Sequence, residues 1–294
     1  MNAQVMQVTV GDVEIAYESF GNPADPPLLL VMGLATQMLG WDEGFCGRLA
    51  SHGFHVIRFD NRDVGLSTHL SEAGVPDLGT LLADPVAGGA PYTLLDMAGD
   101  VVGLLDALGL ESAHVVGASM GGMIAQQLAI GHAPRVRSLT SIMSTPSREV
   151  GQATPEAMAV LFLPAPTDEQ QAAERALAVY RVIGSPGYPL DEPRLAGVAR
   201  LAFARGRDAA GVARQFAAIV VSPDRRPGLS ELRLPTLGLP GQDDPLVPVA
   251  GGRAAAAAEG EGWGRRWRRE RKNAQQRDAR PSDDEAAAEL DDDG

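Results

Sequence analysis

Gly117-Ala118-Ser119-Met120-Gly121 sets a serine between two glycines at the spacing G-x-S-x-G. A serine hydroxyl can attack a carbonyl if a tight turn lifts it clear of the chain, and glycines let the flanking strand and helix close around that turn. In a chain with 34 glycines the spacing alone is weak, so its setting decides its weight. The apolar run from Ala113 to Ala118 reads as a strand, and Met120 to Ile130 reads as a helix. The competing reading is a glycine-rich turn with an inert Ser119. Acyl transfer also needs donors where negative charge grows. The Met120 amide, at a helix start beside the nucleophile, is one candidate for this oxyanion hole. The Leu34 amide, after the run Leu28 to Met32 and Gly33, is the second, and an ordinary strand end is the alternative there.

Those residues need a sheet to position them. Val5 to Val10 and Val13, Ile15 and Tyr17 alternate about Gly11-Asp12, which predicts an opening hairpin with one wet face. Leu28 to Met32 is unbroken apolar sequence, as in a central strand covered on both faces. Trp41, Phe45 and Leu49 recur at helical spacing, and Phe54 to Phe59 gives the next strand. Thr93 with Asp96 reads as a capping box opening a helix that runs to Gly109. Arg137 to Ser144 is a further strand. Strands alternating with helices in this way predict a mostly parallel sheet with helices on both faces.

From Thr145 to Leu232 the pattern becomes amphipathic and helical, including Glu169 to Ile183 and Pro193 to Ala204, and reads as a cap. Met158, Leu161, Phe162 and Leu163 form an apolar patch there that fits either a moderately hydrophobic substrate or plain packing. Strand character returns at Pro235 to Pro240, and an alanine-rich helix reaches Ala258. The expected organisation is a core in two parts, 1–145 and 233–258, a helical cap at 146–232, and an atypical polar tail at 259–294. That tail carries eight basic and eleven acidic residues but no Ile, Val, Phe or Met, so it is expected to supply no buried strand.

Composition narrows the function classes. A formal charge of −13 over 294 residues opposes the basic footprint that nucleic acid requires. One cysteine, Cys46, allows neither an internal disulfide nor a thiolate metal cage. No signal-peptide pattern opens the chain, and no apolar run approaches the ~18 residues needed to span a bilayer. A cytoplasmic protein without membrane or nucleic-acid partners is expected, and its oligomeric state is left open.

Five segments, in this order, resemble the α/β-hydrolase superfamily: Val31-Met32-Gly33, Asp60 to Ser67, Gly117 to Gly122, Arg135 to Leu139, and Gly241-Gln242-Asp243-Asp244-Pro245. The Met-Gly pair, with FGNPADPPLLLVMG around it, is most similar to the aclacinomycin methylesterase-like serine esterases. The resemblance implies an α/β-hydrolase fold and a carboxylic ester hydrolase acting on a small-molecule ester, with neither metal nor cofactor. It places the acid that orients a catalytic histidine at Asp244, with Asp243 as the alternative, and makes Asp60 and Arg62 structural, as a buried ion pair.

The same resemblance implies a histidine some tens of residues after that acid, and no histidine follows Asp244 here. The five are His52, His55, His69, His114 and His132. Of these only His69, on a loop near the sheet edge, could serve as a substitute base. The last strand and helix of the fold are expected to be missing. Residues 259–294 read either as an out-of-frame stretch of a high-GC gene, since Lys272 is the only lysine, or as a divergent natural C-terminus. Three functions therefore stay open: a serine esterase with an incomplete triad, a catalytically inactive hydrolase-fold binding protein, and a cofactor-free perhydrolase.

Overall fold

A computed structural model describes residues 4–206 and 208–258. The expectations about 259–294, and about the strand and helix that would lie there, fall outside the described residues.

The strands are β1 (Met6–Val10), β2 (Val13–Phe20), β3 (Pro27–Val31), β4 (His55–Phe59), β5 (Ala113–Ala118), β6 (Val136–Ile142) and β7 (Thr236–Leu239). They form one sheet in the order β1-β2-β4-β3-β5-β6-β7. β1 and β2 pair antiparallel, as do β2 and β4; every later pairing is parallel. Gly11 takes φ +56° in the two-residue link between Val10 and Val13, a conformation open to glycine at little cost. The expected wet face holds along β1, where Gln7 and Thr9 are exposed, and at Glu14 of β2. Beyond Glu14 the strand is buried through Glu18, because β4 flanks it and Arg58 pairs with Glu18 beneath Phe20.

The helices are α1 (Glu43–Ser51), α2 (Leu78–Ala83), α3 (Pro85–Gly88), α4 (Leu94–Ala107), α5 (Met120–Gly131), α6 (Pro155–Leu161), α7 (Glu169–Ile183), α8 (Glu192–Arg205), α9 (Ala209–Val221), α10 (Arg226–Ser230) and α11 (Val249–Ala258). β3 shows why two layers of helix are needed. Leu29 and Val31 point into the cluster shared with α4 and α5, while Leu28 and Leu30 point into the opposite cluster with Trp41, Cys46 and α1. Alternation along a strand sends neighbouring side chains to opposite faces, so an all-apolar strand must be covered twice.

Local signals set the ends of these elements. The capping box closes in both directions, with Asp96 Oδ2 accepting from the Thr93 amide at 2.7 Å and Thr93 Oγ1 accepting from the Asp96 amide at 3.3 Å. β6 stops at Ile142 rather than Ser144 because Met143 turns to φ +40°. Residues 146–232 carry α6–α10 and, among the described residues, no strand. α2 and α3 were not expected from the sequence. Asp77 caps α2, and Leu81 there joins Phe216, Ala217 and Val220 of α9 in a small separate core. Among the described residues no helix is long and apolar enough to cross a membrane.

Candidate active site

Ser119 is the hinge between β5 and α5, and its backbone sits at φ +55°, ψ −121°. This is costly for a residue with a Cβ, about 1–3 kcal/mol, and persists only when the surroundings enforce it. They do so on both sides. A Cβ on Gly117 would stand 2.2 Å from the Gly121 carbonyl oxygen, and one on Gly121 would stand 2.2 Å from the Val31 carbonyl oxygen. Strand, helix and the neighbouring strand therefore meet backbone to backbone around the serine. The Ser119 amide donates to Ile142 O, and its carbonyl accepts from the Gly122 and Met123 amides and from Ser144 Oγ. Ser119 is half-buried, and its hydroxyl has no hydrogen-bond partner among the described residues.

The β3 exit comes directly against this hinge. A Cβ on Gly33 would lie 3.1 Å from Ser119 Cβ and 3.5 Å from its Oγ. The next amide, Leu34, and the Met120 amide both lack an acceptor among the described residues. Unpaired amides beside the hydroxyl of a half-buried serine are suited to an anionic oxygen, reinforced by the positive end of α5.

Asp244 follows β7, two strands along the sheet from β5, at the same C-terminal end as Ser119. Its Oδ1 accepts from the Leu246 and Val247 amides, both at 2.9 Å, which fixes one side of a half-buried carboxylate. Asp243 is exposed and faces a cleft of about 370 Å³ lined by Tyr180, Gly184, Pro186 and Leu190. In the apolar patch of the cap segment, Met158 packs against the Leu81–Phe216 core, and Phe162 lies edge-on to Phe216 while remaining half exposed.

The histidines lie elsewhere. His55 opens β4 and His114 opens β5, so both stand at the N-terminal end of the parallel strands, opposite Ser119. His52 ends α1, and His132 ends α5 thirteen residues and roughly 20 Å beyond the hinge at 1.5 Å per residue. His69 has both ring nitrogens engaged, Nδ1 with Asp208 Oδ2 and Nε2 with the Gly65 carbonyl, each at 3.1 Å. The one residue that could have replaced the base is thus committed to the junction with α9.

That junction is the feature that sequence reading missed. Arg214, wholly buried on α9, binds Asp63 through two nitrogens at 2.8 and 2.7 Å and Asp208 at 2.8 Å. Tyr92 Oη donates to Asp63 at 2.7 Å. Burial would raise the Asp63 carboxyl, but the bonds from Arg214, Tyr92 and the Leu70 amide outweigh it and hold the group below the usual carboxylate range. Asp63, His69 and Asp208 bring three ligand atoms within 4.8 Å of one another, the one such grouping among the described residues. The Arg214 guanidinium already bridges its two carboxylates, so the cluster is an ion-pair network rather than a vacant cation cage. Asp60 and Arg62 are also paired, though not with each other: Asp60 holds Arg205 of α8 at 3.1 Å, and Arg62 holds Asp100 through two bonds of 2.6 Å. The signal available beforehand was Arg214-Gln215 standing as two polar residues inside the apolar helix AAGVARQFAAIVV.

The mostly parallel sheet carries a strained serine at a strand-to-helix hinge, and the family model described as "alpha/beta hydrolase fold" matches residues 26–180. The chain belongs to the α/β hydrolase fold family. Among its relatives, rhodomycin D methylesterase DauP of Streptomyces sp. (strain C5) is 31% identical over 209 residues, 63% of each chain. This chain therefore spans less than two thirds of that methylesterase's length. The 3-oxoadipate enol-lactonase 2 of Acinetobacter baylyi is 28% identical over 246 residues, covering 83% of this chain and 81% of the relative. Among solved structures, the enol-lactonase of Burkholderia xenovorans LB400 superposes with a TM-score of 0.65 at 26% identity, covering 86% of this chain and 87% of that one. The resemblance to methylesterases and the α/β-hydrolase fold read from the sequence both hold.

Proposed function

We propose that this α/β hydrolase acts on a carboxylic ester of a small molecule, with Ser119 as nucleophile, the Leu34 and Met120 amides as oxyanion donors, and Asp244 as the carboxylate that orients a base. The observation that carries the reading is the enforced backbone of Ser119 beside two unpaired amides. Attack would join Ser119 Oγ to the ester carbon as its proton passes to a base; collapse of the tetrahedral species expels the alcohol and leaves an acyl-serine, which water then hydrolyses. The esters named for the relatives, a rhodomycin methyl ester and an enol-lactone, set the chemical class that this reading extends to the chain.

No histidine of the described residues is placed to take the proton, and none follows Asp244 in the sequence. Losing the histidine of such a triad costs about 10⁶ in rate yet leaves about 10³–10⁴ over water from the oxyanion site and binding. Slow, Ser119-dependent turnover is expected from this chain, and free imidazole should substitute for the absent base. Hydrolysis of p-nitrophenyl butyrate should rise at least about tenfold with neutral imidazole, beyond the rise in buffer alone, and the increase should vanish in Ser119→Ala. A second reading, a hydrolase-fold binding protein, is favoured by the same distribution of histidines. It predicts saturable ester binding, with identical rates for wild type and Ser119→Ala at every imidazole concentration.

A further inference from the structure

We infer that Gln215, on α9, is a positioning residue for the oxyanion loop and makes that loop's geometry depend on the docking of α9 against the core; this rests on the ester-hydrolase reading above. Gln215 is wholly buried, although glutamine is rarely so. Its Oε1 accepts from the Ala35 amide at 2.9 Å, and its Nε2 donates to the Arg62 carbonyl at 2.7 Å. An amide can only donate and a carbonyl can only accept, so these two partners fix the side-chain amide in one orientation.

The partner on the loop is the informative one. Ala35 stands at φ +60°, the left-handed region that a residue with a Cβ rarely adopts. Leu34, one residue before it, carries the proposed oxyanion donor. The peptide plane between them is held at both ends: the Leu34 carbonyl accepts from Thr36 Oγ1 at 3.0 Å, and the Ala35 N–H is held by Gln215. The preceding carbonyl, Gly33 O, accepts from the Thr36 amide at 3.2 Å. Of these restraints, only the Gln215 bond comes from a distant part of the chain. Without it, the strained turn loses the contact that offsets its cost, and the Leu34 amide loses its fixed direction.

The helix presenting Gln215 is itself anchored. The adjacent Arg214 ties α9 to Asp63, and α8 grips the same loop two residues on, where Gln37 Nε2 donates to Ala202 O and Gly206 O and Arg205 donates to Gln37 Oε1. Displacing α9 would withdraw the acceptor from Ala35, so the amide pair beside Ser119 is complete only with this helix seated. An acceptor whose role is to hold a donor in place affects the reacting state more than the encounter with the reagent.

The test compares the full-length wild type with Gln215→Met, which keeps the length of the side chain without its polar atoms, and with Gln215→Glu, which keeps an acceptor for Ala35. Hydrogen exchange at the Ala35 amide is read by NMR, and a fluorophosphonate in neutral imidazole, which supplies the missing base, gives KI and kinact at Ser119. Gln215→Met should speed exchange at Ala35 and lower kinact by about tenfold or more with KI within about twofold, and Gln215→Glu should restore most of kinact. Unchanged exchange at Ala35, or kinact equal to wild type in Gln215→Met, would overturn the inference while leaving Ser119 as nucleophile. A Gln215→Glu chain whose Ala35 amide exchanges as slowly as in the wild type but whose kinact stays at the Gln215→Met level would also overturn it, because the held amide would then have no effect on the reacting state. Absence of a Ser119 adduct in all three proteins would instead overturn the ester-hydrolase reading, and this inference with it.

Discussion

At the scale of the residue, the site depends on what is absent from three positions. Gly117, Gly121 and Gly33 allow Ser119 to be surrounded by backbone, and the contacts a Cβ would make there are with carbonyl atoms or with Ser119 itself, which cannot give way cheaply. Gly121→Ala is therefore expected to cost about 3 kcal/mol or more in urea unfolding, the range of severe overpacking. By contrast Gly99→Ala on α4, where a Cβ meets nothing within 4 Å, should be neutral or stabilising by up to about 1 kcal/mol. The turn at Ser119 was legible in the sequence because it is local: the five residues Gly117 to Gly121 and their flanking hydrophobic pattern determine it. The position of Asp244 was also legible, but only through resemblance, because a carboxylate after a short strand has no distinctive local pattern of its own.

At the scale of the element, α9 carries a buried long-range tie. Arg214 and Asp63 are 151 residues apart and both fully buried, so replacing either leaves the other's charge without its partner. Arg214→Met should cost about 3–5 kcal/mol, measurable by chemical denaturation. The pH dependence has a definite sign. Because the Asp63 carboxyl is held below its usual value, its stabilising contribution is complete above the unfolded pKa of about 3.9 and disappears as pH falls through the lower folded value. The difference in urea midpoint between wild type and Asp63→Asn should be full above about pH 5 and shrink progressively below about pH 4. None of this was legible from periodicity, which shows that a helix has an apolar face but not which distant carboxylate meets the arginine on it. The short helices α2 and α3 escaped for a related reason: with six and four residues they hold too few turns to show a period.

At the scale of the whole molecule, a parallel sheet gathers the C-terminal ends of its strands at one end, and Ser119, Gly33 and Asp244 all lie there. The same geometry explains why histidines at the starts of β4 and β5 cannot reach the serine. The alternation of strands and helices made this arrangement readable in advance, since a run such as Leu28 to Val31 must be covered on both faces. Within residues 146–232, α8 and α9 reach the loops that follow β3 and β4, through Arg205 to Gln37, Gln215 to Ala35 and Arg214 to Asp63. The central claim, that this assembly presents Ser119 as a nucleophile, is tested most directly by incubating the full chain with a fluorophosphonate in neutral imidazole, which supplies the missing base, and locating the adduct by peptide mass spectrometry. The account predicts a single adduct on Ser119 that is absent from Ser119→Ala. A wild-type chain that stays unmodified, or an adduct that persists in Ser119→Ala, would contradict it.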